Sequence, residues 1–110
     1  MNETPTEHHT LRVAGWDLFA ATEARIVDLT NYLTEVRALA AARKEANDAL
    51  VTEIFRGVRM TQDEDRRMTV AVCASMVNVE NARRRLETST ENLFQAEQRW
   101  LLAVAGLGVK

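Results

Sequence analysis

Over residues 68–107 the apolar positions recur every seven residues: Val72, Val79, Leu86, Leu93, Trp100 and Leu107. Three places after each of the first five stands a small side chain, Ser75, Ala82, Ser89, Ala96 and Ala103. A repeat of seven keeps one stripe on the same side of a slightly under-wound α-helix, which is the signature of a coiled coil. Large residues at one seam position and small ones at the other let a partner helix lie unusually close. This stretch is predicted to be half of a long, tight helix pair.

The first half of the chain carries a second stripe. Phe19, Ile26, Leu33 and Ile54 share one seam position and Leu29, Val36 and Leu50 the other, while Leu18, Tyr32, Leu39 and Ala46 widen the stripe on one flank. No helix breaker falls between Trp16 and Arg56. Thr4-Pro5-Thr6-Glu7 reads as a helix start, with a capping threonine, a proline at the first helical position and a glutamate closing a capping box. Gly15 weakens this opening, so a bend there or a true beginning near Trp16 is the alternative. Gly57 suits the left-handed conformation that follows a helix C-terminus. Thr61-Gln62-Asp63-Glu64 is a second capping box, and Asp63, Glu64 and Asp65 complement the positive end of the helix dipole.

These signals predict a flexible tail over residues 1–3 and a single domain over 4–110. Its first helix covers 5–56, a link 57–60, and its second helix 62–105, stopped by Gly106 and Gly108. So short a link forces an antiparallel hairpin. Residues whose numbers total about 120 then face each other, which brings Trp16, Leu18 and Phe19 to Trp100, Leu101 and Val104 at the open end. Two lone helices give each stripe one neighbour, and small domains already bury little surface. The expected fold class is therefore all-α: an antiparallel helical hairpin with coiled-coil-like packing, completed into a bundle by oligomerisation.

Composition agrees. Hydrophobic residues make up 46% of the 110, charged ones 27% and aromatics 5%, and there is one proline; this suits an ordered helical protein rather than a disordered tail. The net charge of −2 lacks the basic excess usual in nucleic-acid binders. The lone Cys73 excludes an intrachain disulfide and fits a reducing compartment. Met1 to Thr10 is polar, unlike a signal peptide, and no stretch has the apolar length of a membrane span. Cytoplasmic placement is the resulting expectation.

Few features offer chemistry. Arg43 and Asn47 interrupt the first helix's stripe where apolar residues are expected. Their functional reading is a polar pocket in a bundle; the plainer one is a device that fixes alignment and oligomer state. His8 and His9 stand beside Glu7, but neighbouring helical residues point about 100° apart, which does not converge on a metal. Arg83, Arg84 and Arg85 form a basic run that would suit phosphates, though Glu80 and Glu87 offset it. Residues 100–109 contain no charge and would either close the hairpin's end or touch a membrane surface or partner. No serine–histidine arrangement, phosphate loop or zinc motif occurs in the chain.

The expectation is thus a non-enzymatic helical interaction module: a self-associating scaffold, adaptor or small subunit, with no catalytic, cofactor-binding or metal-binding residues assigned. Its partner would be a second copy, a dimer first, or another helical protein. The expected interface comprises Trp16, Leu18, Phe19, Tyr32, Leu39, Arg43, Asn47, Trp100, Leu101 and Val104. The alternatives are a nucleic-acid or anionic-surface binder acting through Arg83–Arg85, and a small all-α dimeric enzyme with its pocket at Arg43 and Asn47.

Overall fold

The computed structural model describes residues 5–108. The expected tail over 1–3 and the cap at Thr4 lie outside the described residues. Two helices, α1 (Pro5–Arg56) and α2 (Gln62–Gly108), pack against each other as an all-α helical hairpin, with no strand among the described residues. Helix α1 runs through Gly15 without interruption, so the alternative start near Trp16 is wrong.

The turn follows from its residues. Gly57 has φ +68°, the left-handed region that glycine adopts without a Cβ penalty. Its N–H donates to the Glu53 carbonyl at 3.2 Å, which satisfies one of the orphan acceptors at the end of α1. Thr61 starts α2: its side-chain oxygen accepts from the Glu64 N–H at 3.1 Å, its hydroxyl lies 3.1 Å from Glu64 Oε1, and its carbonyl accepts from the Asp65 N–H at 3.0 Å. The end of α2 departs from expectation. The helix continues past residue 105 to Gly108, because Gly106 keeps an ordinary helical φ and so weakens the helix without stopping it.

The chain forms two compact units, one joining residues up to Leu29 with those from Arg85, the other Thr30–Arg84. In the first, Ala96 is 1% exposed and Ala14 and Ser89 are buried with it, while Leu86, Leu93, Trp100 and Ala103 are half-buried. In the second, Ala82 is 2% exposed, and Val72, Ser75 and Val79 are half-buried. The seven-residue seam of α2 is therefore the face turned towards α1, with its small positions deepest.

The face of α1 is not the one the apolar pattern indicates. Its less exposed positions are Leu11, Ala14, Gly15, Leu18, Ala21, Thr22, Arg25, Asp28 and Leu29 in the first unit, then Tyr32, Glu35, Leu39, Ala42, Ala46, Ala49, Thr52 and Glu53 in the second. Most of these repeat every seven residues one place before the expected seam, while Gly15, Thr22 and Leu29 lie on one of its two expected lines. Phe19, Ile26, Leu33, Val36, Leu50 and Ile54 are exposed instead, and Leu29 is half-buried. The physical reason is size. A seam whose deepest positions are alanine and serine brings the helix backbones close, and the facing stripe must supply small side chains of its own. Ala14, Ala21, Ala42, Ala46 and Ala49 do so, alternating with the larger Leu11, Leu18, Tyr32 and Leu39.

The alignment is also tighter than expected. In the first unit Arg25 meets Thr90, Asp28 meets Ser89 and Gly15 meets Trp100, so facing numbers total 115 to 117 rather than 120. Ala82→Leu or Ala96→Leu should force the helices apart and cost about 1–3 kcal/mol in chemical denaturation, whereas the exposed Arg84→Leu should be nearly silent. Equal losses from all three would place the seam elsewhere.

Candidate interaction surface

The packing leaves the larger apolar side chains outside. Among the described residues no large side chain is fully buried. In the first unit Trp16 is 65% and Phe19 59% exposed, together with Ile26, Phe94, Leu101, Leu102 and Val104. In the second, Leu33, Val36, Leu50, Val51 and Ile54 are exposed along α1. Scattered apolar residues on a surface are ordinary, but a stripe that keeps helical spacing is not.

The expected cluster of Trp16, Phe19, Trp100, Leu101 and Val104 forms only in part. Trp16 and Phe19 meet edge to face with ring centroids 6.2 Å apart. They line a cleft of about 610 Å³ with Leu11, Gly15 and Trp100 as its apolar walls and His8 and Arg12 at its rim. Leu101 and Val104 are exposed and do not line it. The role of Gly15 now has a physical cause: a Cβ there would stand 3.2 Å from Trp100 Cζ3, so glycine lets the indole lie against the α1 backbone. On the other side of the helix pair a second cleft, about 530 Å³, is lined by His9, Val13, Ala14, Asp17, Arg99 and Leu102.

Other expected interface residues divide. Leu18, Tyr32 and Leu39 sit half-buried on the intrachain face rather than on a flank open to a partner. Arg43 and Asn47 are exposed and lie on the open stripe between Val36 and Leu50, away from α2's seam.

The polar contacts between helices are ones the apolar pattern did not disclose. The Ser89 hydroxyl reaches the Asp28 carboxylate and also the Arg85 carbonyl at 3.0 Å, its single proton serving one acceptor at a time. Arg25 Nε donates to Thr90 Oγ1 at 3.2 Å. Among the described residues no buried side-chain nitrogen or oxygen lacks a partner. The signal was present: Arg25, Asp28 and Glu35 fall seven or three residues apart on the stripe of alanines.

The basic run is engaged locally. Arg83 holds the Glu80 carboxylate through two contacts, at 3.0 and 2.5 Å, and Arg84 lies 3.3 Å from it. The Arg83 hydrogen bond holds the Glu80 carboxyl below its usual range, against the opposing effect of desolvation, with the charges of Arg83 and Arg84 adding to the lowering. Its contribution is fully present above the ordinary carboxylate range and is lost progressively as pH falls from there through the lowered value. Among the described residues no three His, Cys, Asp or Glu side chains converge as metal ligands do. Nor is any described helix long and apolar enough to cross a membrane.

No protein family, curated protein or solved structure matches this chain.

Gly15→Leu should displace the Trp100 ring at a cost of about 1–3 kcal/mol. In a Trp16→Phe background, which isolates the second tryptophan, emission should shift to the red. Unchanged emission and stability would mean that Trp100 does not rest on this glycine.

Proposed function

We propose that this chain is a non-enzymatic helical interaction module that works by self-association, as a cytoplasmic scaffold or a small subunit of a larger assembly. The observation that carries this reading is the surface left wet. The chain exposes 8383 Å² for a mass of 12.4 kDa. A compact monomer of that mass exposes roughly 6,100 Å², so the excess is about 2,300 Å². Interfaces of obligate homodimers bury about 2,000–5,000 Å² over both partners, and the excess on two chains falls within that range. The exposed large side chains along α1 indicate where the burial would occur.

Arg83 and Arg84 support this reading by being occupied with Glu80, which reduces the charge available to a phosphate backbone. Exposed Cys73 is a free thiol and agrees with a reducing compartment.

Light scattering at micromolar concentration should give at least twice the chain mass. Ile26→Asp and Leu33→Asp should each raise the dissociation constant at least about tenfold, because a two-fold interface repeats every change. A single-chain mass at all concentrations, with a cooperative melt, would contradict the proposal.

A further inference from the structure

Resting on the reading of self-association, we infer that α1 packs antiparallel on α1 of a second copy, with Leu33 opposite Val36 of the partner subunit. The open stripe lies one residue beyond the face that α1 turns to α2, about 100° around the helix. Two contact lines separated in this way are what a helix in a four-helix bundle offers its two neighbours. The free surface is therefore placed where a second hairpin fits, and it is built mainly from α1.

Charge selects the direction. In a parallel pair, Arg43 and Lys44 would each face their own copies. Antiparallel pairing through Leu33 and Val36 of the partner subunit sets Phe19 against the partner's Leu50 and Asn47 against the partner's Thr22. The adjoining flank then sets Glu23 against the partner's Lys44, twice in the dimer by symmetry. Except where Arg43 faces the partner's Ile26, apolar meets apolar, polar meets polar, and opposite charges meet. Sliding one heptad in the direction that raises the facing total places Arg37 opposite the partner's Arg37. Like charges in such positions are the usual means by which helices reject a wrong alignment. Arg43 keeps its place by laying its aliphatic stem along the partner's Ile26 while the guanidinium reaches out towards the partner's Glu23. The two polar residues thereby specify orientation, and the apolar ones supply the affinity.

Spin labels test this directly. In a Cys73→Ser background, single labels are placed at Ala20 and at Thr34, both exposed and off the stripe. The expected dimer gives about 44 Å or more between labels at residue 20 and under about 20 Å between labels at residue 34. Short distances at both sites mean a parallel pair and overturn the inference while leaving self-association intact. Long distances at both mean that the stripe is not the contact, with the same consequence. Absence of any coupling together with a single-chain mass for the unlabelled protein overturns self-association itself. A helical circular dichroism spectrum for each labelled chain confirms that the labels leave the fold in place.

Discussion

Two helix backbones held together through alanine, serine and glycine set the terms for the rest of this molecule. At Ala96 and Ala82 the exposed fraction falls to almost nothing, although neither side chain is larger than a methyl group. At its alanine and serine positions a contact this close leaves little volume for a larger side chain, since protein interiors are already packed to crystal-like density. It draws its stability from many short-range dispersion contacts and from polar pairs such as Ser89 with Asp28 rather than from one bulky core. The Trp100 indole finds room only because Gly15 lacks a side chain.

The consequence appears beside the packed face of α1. Phenylalanine, isoleucine and leucine side chains that would form the core of an ordinary small domain remain on the surface of α1. Burying one such side chain contributes about 1.5–3 kcal/mol, so a stripe of them is a large unused contribution. The hairpin has one contact line filled within the chain, and the self-association proposed above would fill a second along α1. Arg43 and Asn47 are exposed on that second line, and under the proposal they would set its alignment at some cost in affinity.

Much of this was legible in the residues. The seven-residue spacing from Val72 to Trp100 identified the packed face of α2, and Gly57 with Thr61 located the turn because both signals depend on local backbone chemistry alone. The face of α1 was not legible by the same means. Hydrophobicity favoured Phe19, Ile26 and Leu33, whereas the fold selected the neighbouring stripe by volume, accepting Arg25, Asp28 and Glu35 for the sake of Ala14, Ala21 and Ala42. Polarity and size gave opposite answers, and the small seam already visible on α2 was the clue that size would decide. The alignment of the helices shifted for the same reason, since small residues must meet in step. Gly15, read as a weakness in the helix, turned out to be a point of contact, which becomes apparent only once Trp100 is placed beside it.

If the second contact line is filled between copies, then folding and association are coupled, and stability depends on concentration by mass action. The most direct measurement is the thermal midpoint by circular dichroism at two protein concentrations a hundredfold apart. The account predicts a midpoint at least about 5 °C higher in the concentrated sample. An identical, cooperative midpoint at both concentrations would mean that the hairpin is complete by itself and that the stripe on α1 does not serve assembly.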